Sequence, residues 1–219
     1  ERDISLMSGQ GVVQALQSKG LQVVVVDPAE QSLERLKSQG VSRVFIALHG
    51  RYGEDGTVQG MLELANVPYV GSGVLASALC MDKTMAKQVI AAAGLPQPHF
   101  RAVHEPHFDD RDVDSIITSI GLPMFVKPAN MGSSVGVSKA KDAEHLRAAI
   151  SLALAYDEWI VVEEAIVGRE IEVAVLGGLQ PEASLPGEVV PGAEFYDYAD
   201  KYVDDGSRTL IPAPLTPEQ

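Results

Sequence analysis

Apolar Ile4, Val12, Ala15 and Leu16 recur at helical spacing up to Gly20, and the near-continuous apolar run Leu21-Gln22-Val23-Val24-Val25-Val26 follows. The pattern predicts a helix over 4–19 and a strand over 21–26. It then repeats, with a helix over 31–39 closed by Gly40 and a strand over 41–48. Apolar strands alternating with helices predict a parallel sheet covered on both faces. Ligands of such sheets gather at the carboxyl ends of the strands. His49-Gly50-Arg51-Tyr52-Gly53-Glu54-Asp55-Gly56 falls at such an end, before a helix starting near Thr57.

A further strand over 67–70 ends in Gly71-Ser72-Gly73, a hinge signal. Beyond it, Asp82 is placed to cap a helix running to Ala93, with Gly94 and Pro96 as stops. Strands over 124–127 and 135–139, a helix over 143–156 and a strand over 159–163 then predict an α+β unit. Glu170-Ile171-Glu172-Val173-Ala174-Val175-Leu176 alternates, which puts both glutamates on one face of a half-buried strand. Residues 191–214 are polar and aperiodic and read as a long surface loop. The chain opens at Glu1 without methionine and closes on Pro214-Leu215-Thr216-Pro217-Glu218-Gln219, the signature of a helix cap and first turn, so both ends read as continuing.

With 219 residues and 46% hydrophobic content the chain can bury a sizeable core. A formal charge of −13 argues against nucleic acid or an anionic membrane as partner, so any anionic ligand must be held by local lysines. Cys80 is the single cysteine; it excludes an intrachain disulfide and reads as a packed thiol in an apolar run. No charged-then-apolar leader opens the sequence, and a cytoplasmic protein is expected.

The chemistry concentrates in Pro123-Met124-Phe125-Val126-Lys127-Pro128-Ala129-Asn130-Met131-Gly132-Ser133-Ser134-Val135-Gly136-Val137. A strand delivers Lys127 beside Ser133 and Ser134, bracketed by glycines that let backbone N–H groups approach an anion. This is not a Walker loop, because strand leads to strand and no helix follows the lysine. A plain hairpin connection is the competing reading. Lys83 occupies a first helical turn, where a cation opposes the macrodipole at about 0.3–1 kcal/mol unless an anion answers it; a solvated surface lysine is the alternative. Glu163 and Glu164 end a strand before Ala165-Ile166-Val167-Gly168, a connection able to read a purine edge, or form an exposed acidic pair. Glu170 either accepts from ribose hydroxyls or forms the wet side of its strand. His49 either donates to a substrate carboxylate or is structural. Phe195-Tyr196-Asp197-Tyr198-Ala199-Asp200-Lys201-Tyr202 suits a lid over a charged ligand or an ordinary polar loop.

Taken together, His49-Gly50-Arg51-Tyr52-Gly53-Glu54-Asp55-Gly56, Met81-Asp82-Lys83, Val126-Lys127-Pro128, Gly132-Ser133-Ser134-Val135-Gly136 and the 195–202 segment resemble the D-alanine–D-alanine ligase family of ATP-grasp enzymes. The resemblance implies an α/β fold with an N-terminal parallel, Rossmann-like substrate domain over 1–71. It implies an α+β ATP-grasp subdomain over 72–166 and the start of a second, with the lid, over 167–219. Glu1 matches a glutamate that binds the amino group of the first D-alanine, Ser133 and Tyr202 match residues of the catalytic and substrate-binding set that hydrogen-bond with that glutamate, and His49 matches a residue near the first substrate. Lys83, Lys127 and Lys201 match phosphate-binding lysines, with Ser134 in the phosphate loop. Glu163, Glu164, Ile166 and Glu170 match the adenosine site, although Glu164 stands where the family often has lysine.

The implied reaction joins two D-alanines for peptidoglycan synthesis. ATP phosphorylates the first carboxylate to an acyl phosphate, which the second amine attacks. Mg²⁺ or Mn²⁺ is implied, with ligands in a carboxyl-terminal region outside this sequence, so no metal ligand is named. A homodimer through the first domain is also implied. Two rivals stand beside this reading. A D-alanine–D-lactate ligase is disfavoured by Tyr202, where the lactate-forming relatives resemble this pattern with histidine. A catalytically silent ATP-binding module is disfavoured by the joint presence of Glu1, Lys83, Lys127, Ser133, Lys201 and Tyr202.

Overall fold

A computed structural model describes residues 2–33, 36–192, 206–216 and 218–219. Its largest unit is a four-stranded antiparallel sheet built from β3 (Phe100–His104), β4 (Met124–Pro128), β5 (Ser138–Ala140) and β6 (Trp159–Glu164), in the order β3-β6-β4-β5. Strand alternation gives this sheet two different faces. Met124, Val126, Ile160 and Val162 point to one side and pack against α5 (Asp112–Ile120) and α6 (Ala143–Leu154) through Val113, Ile116, Leu146 and Ile150, all essentially fully buried. Burying a side chain of this size contributes about 1.5–3 kcal/mol, so this layer anchors the fold. The opposite face carries Phe125, Lys127 and Glu163, and α4 (Lys83–Ala92) packs against β6 on that side.

Ahead of α4, α1 (Arg2–Ser18), β1 (Val44–Phe45), α2 (Thr57–Leu64), β2 (Tyr69–Val70) and α3 (Val74–Met81) form a smaller α/β unit. Its core is Leu36, Val58, Leu62 and Val67, with Val26, Val41, Ile46 and Leu48 packed around them. The carboxyl-terminal strands are β7 (Glu170–Glu172), β8 (Val175–Leu176), β9 (Glu182–Ala183), β10 (Gly187–Val190) and β11 (Arg208–Leu210). They pair as β11-β10-β7 and β8-β9.

Several sequence expectations change. The run over 21–26 takes no place in a ladder, and Val24 and Val25 stay exposed, because the described residues offer that strand no neighbour. The strand over 41–48 is reduced to β1, which pairs in parallel with β2. The predicted helix over 31–39 is a bend, a single 3₁₀ residue and turns in its described part, and α1 buries none of its side chains. Cys80 is exposed rather than packed. The second hairpin strand begins at Ser138 instead of 135, because Ser133, Ser134 and Gly136 have φ of 53°, 59° and 69° and coil the chain. The run from Glu170 to Leu176 is exposed and splits in two, since β7 pairs with β10 whereas β8 pairs with β9. Within the expected 191–214 loop, residues 208–210 form β11, and no helix begins in the described part of 214–219. Among the described residues no helix is long and apolar enough to cross a membrane.

Candidate nucleotide and substrate site

The start of α4 holds the first lysine. Asp82 caps the helix, its carboxylate accepting from the backbone N–H groups of Thr84 (2.8 Å) and Met85 (3.1 Å). That cap aims Lys83 back across the sheet edge. Its backbone N–H donates to Ala129 O (3.0 Å), and its Nζ donates to Met131 O (2.6 Å) and Ala129 O (3.3 Å). Lys83 is half-buried, not a solvated surface lysine. Burial pushes its amine below the usual lysine range, and the charge of Lys127 pushes it further. An anion arriving here would favour the charged amine and oppose both effects.

The sheet face that α4 covers holds a three-member charge chain. Glu163 Oε1 lies 2.5 Å from Lys127 Nζ, and Oε2 lies 2.6 Å from Lys87 Nζ. The Glu163 side chain is 8% exposed. Burial acts to raise its pKa, but Lys127 and Lys87 outweigh it and hold the carboxyl below the ordinary range. The exposed-pair reading therefore fails for Glu163: α4 covers the end of β6 and supplies Lys87 as counter-charge. Glu164 is half-buried beside it.

Residues 129–137 connect β4 to β5 over this edge. Asp157 anchors the start of the loop, accepting from Asn130 N (2.7 Å) and Asn130 Nδ2 (3.1 Å). Ser133 and Ser134 then take the left-handed conformation, a strain of about 1–2 kcal/mol per residue of the kind that gathers at ligand clamps. Gly136 closes the turn, with φ 69° and the ring of Tyr156 pressed on it, so that a Cβ there would lie 2.8 Å from Tyr156 Cδ2 and Pro128 Cγ.

Between the loop and the smaller unit lies a cavity of about 630 Å³, lined among others by His49, Glu54, Gln59, Cys80, Lys83 and Ser133. α1 positions the histidine: Ser5 Oγ accepts from His49 N (2.9 Å), and Ser8 Oγ is 2.8 Å from His49 Nε2. Serines three apart share one helix face, so both reach the same residue. Glu54 accepts from Gly50 N, and Gln59 Nε2 donates to Gly53 O (2.9 Å), which holds the turn behind the cavity.

The structure thus gathers His49, Lys83 and Ser133 around one cavity, with Ser134 in the adjoining loop and Lys127 and Glu163 on the sheet behind it. Ile166 and Glu170 are exposed beyond the end of β6 and do not line this cavity. Glu1, Lys201 and Tyr202 lie outside the described residues. Sequence reasoning missed Lys87, although it stands four residues after Lys83 on the same helix face. It also missed Ser5, Ser8, Gln59 and Asp157, which carry no motif of their own. Among the described residues no three His, Cys, Asp or Glu side chains converge to hold a metal ion.

This sheet, its lysine-bearing edge and the adjoining α/β unit define an ATP-grasp protein. The family model described as D-ala D-ala ligase C-terminus matches residues 89–219, and that described as D-ala D-ala ligase N-terminus matches residues 26–72. The D-alanine–D-alanine ligase of Polaromonas naphthalenivorans is 46% identical over 98% of this chain and 66% of its own length. That of Aromatoleum aromaticum is 48% identical over 100% of this chain and 69% of its own length. Two solved structures are similar. The VanG D-Ala:D-Ser ligase of Enterococcus faecalis aligns with a TM-score of 0.73 at 38% identity, covering 81% of this chain and 52% of that one. The D-alanine–D-alanine ligase of Coxiella burnetii aligns with a TM-score of 0.64 at 35% identity, covering 73% and 54%. The chain belongs to the D-alanine–D-alanine ligase family. It spans about two thirds of the length of these curated relatives and about half that of the solved structures.

Proposed function

We propose that the gene product joins two D-alanines into D-alanyl-D-alanine at the expense of ATP, through a D-alanyl phosphate, for peptidoglycan synthesis in the cytoplasm. The observation that carries this reading is the pairing of a desolvated lysine with a strained serine loop on one cavity wall, where Lys83 and Ser133 face His49. A carboxylate oxygen is a poor leaving group, so the acid must be activated before an amine can displace it. Lys83 and Lys127, with Lys201 from the lid segment, would neutralise the phosphoryl group during transfer, a task of positioning and charge stabilisation. His49, oriented by Ser5 and Ser8, would stand beside the first D-alanine, which Glu1, Ser133 and Tyr202 would hold. Closure of the Tyr202 segment would keep water from the acyl phosphate.

In this reading residues 1–71 form the substrate domain, 72–166 the first ATP-grasp subdomain and 167–219 the start of the second. Glu163, Glu164, Ile166 and Glu170 would receive the adenosine, and a homodimer would form through the first domain. Among the described residues no group of three His, Cys, Asp or Glu side chains could hold the divalent metal that the family implies.

The test is ATP-dependent phosphate release by the full-length gene product with D-alanine alone, and with D-alanine plus D-serine or D-lactate. L-alanine is the control. Release that needs only D-alanine supports the proposal. Release only when D-lactate or D-serine is added would reassign the second substrate. ATP binding without D-alanine-dependent release would favour the silent module.

A further inference from the structure

We propose that Lys87 is a positioning residue for nucleotide binding: it holds Glu163 in place when Lys127 leaves that carboxylate for a phosphate. The proposal rests on the reading of this site as an ATP site.

As the protein stands, both oxygens of Glu163 are occupied, Oε1 by Lys127 and Oε2 by Lys87. The two lysines are not equivalent. Lys127 is the more accessible, 29% exposed against 14% for Lys87, and it stands near the carboxyl end of β4, the strand that leads into the serine loop. Lys87 is boxed in. Its amine sits 5.1 Å from the centre of the Phe100 ring, and its backbone carbonyl accepts from Gln97 Nε2 (2.8 Å) in the chain that leaves the helix. The Asp82 cap fixes the helix from the other end.

For Lys127 to serve a phosphate it must give up Glu163 or share itself. A buried carboxylate deprived of its only cation is a costly state, and that cost would be charged against nucleotide affinity. Because Lys87 remains, the carboxylate keeps one charge-assisted partner throughout, and Lys127 exchanges one anion for another. The second lysine thus makes the first available. Without Lys87, the Glu163–Lys127 pair would become a latch closed against the nucleotide.

The test is titration of the full-length gene product with ADP by calorimetry, together with ATP-dependent turnover, in wild type, Lys87→Met, Lys87→Arg, Glu163→Gln and the Lys87→Met, Glu163→Gln double variant. The expected result is ADP binding weakened about tenfold or more in Lys87→Met, with KM for ATP raised in parallel. The kcat and the KM for D-alanine should stay within about twofold, and Lys87→Arg should restore most of the affinity. In the Glu163→Gln background, Lys87→Met should change ADP binding by less than about twofold, because the carboxylate that competes for Lys127 is gone. A role for Lys87 in packing alone would survive that background. ADP binding by Lys87→Met within twofold of wild type overturns the role of Lys87 and leaves the ATP reading standing, as does an undiminished Lys87→Met effect in the Glu163→Gln background. Absence of ADP binding by wild type overturns the ATP reading and this role with it.

Discussion

Replacing Glu163 by Gln tests the charge chain without touching the surrounding packing, because the amide matches the carboxyl in size. The substitution leaves Lys127 and Lys87 facing a neutral group in a region where the carboxylate side chain is 8% exposed, with the charge of Lys83 nearby. Removing one partner of a fully buried ion pair costs about 3–5 kcal/mol. Here the glutamine oxygen can still accept from one lysine, and Lys127 is open enough to turn toward water, so the expected loss is about 2 kcal/mol. For a domain of this size that corresponds to a fall in Tm of about 4–8 °C. The pH dependence follows from the lowered pKa of Glu163. A carboxyl whose folded pKa lies below its unfolded value contributes stability that is fully present above the unfolded value, about 4.5, and is lost as pH falls through the folded value. Thermal unfolding of wild type and Glu163→Gln at a series of pH values should show the full gap at pH 7 and a gap that narrows only below about pH 4.5. Equal melting temperatures at pH 7, or a gap unchanged down to pH 3, would show that the Glu163 carboxylate contributes nothing through its two lysines.

Other expectations address the loop and the cavity. Gly136→Ala should lose roughly 2–4 kcal/mol in denaturant unfolding, combining a left-handed backbone with a Cβ only 2.8 Å from Pro128 and Tyr156. Asp157→Ala strips the acceptor from Asn130 N and Nδ2, so about 1–3 kcal/mol should be lost and amide exchange at Asn130 should quicken. His49→Ala should raise the KM for D-alanine by about tenfold while leaving that for ATP unchanged, as measured by steady-state turnover; a rise in the ATP constant alone would remove His49 from the substrate side.

The parts of the site that were readable in advance are those in which local chemistry decides. Asp82 before Lys83-Thr84-Met85 is a cap because its carboxylate reaches amides two and three residues on, and no tertiary information enters. The strand that carries Lys127 was visible from its apolar run, and the following loop from its glycines. Glu163 was not readable. A pair of acids at a strand end looks wet until α4 is laid across it, and only the packing shows that Lys87 arrives from there. Similarly, 21–26 has every mark of a buried strand, but pairing depends on what lies alongside, and the described residues put no paired strand there. Residues 135–137 looked extended because valines flank Gly136, whereas successive left-handed residues prevent it. In contrast, α5 could have been found: Val113, Ile116, Ile117 and Ile120 follow helical spacing behind acidic Asp112 and Asp114. Helix α3 is a short, almost wholly apolar run, Val74 to Met81, which periodicity cannot tell from a strand.

The proposed activation of a D-alanine carboxylate by phosphorylation, at the cavity bounded by Lys83, Ser133 and His49, can be followed through its oxygen atoms. The most direct measurement supplies D-alanine labelled with ¹⁸O in its carboxylate to the full-length gene product with ATP, and analyses the released phosphate by mass spectrometry. The expected result is one labelled oxygen in each phosphate, formed together with D-alanyl-D-alanine and ADP. Dipeptide formed with unlabelled phosphate would contradict it.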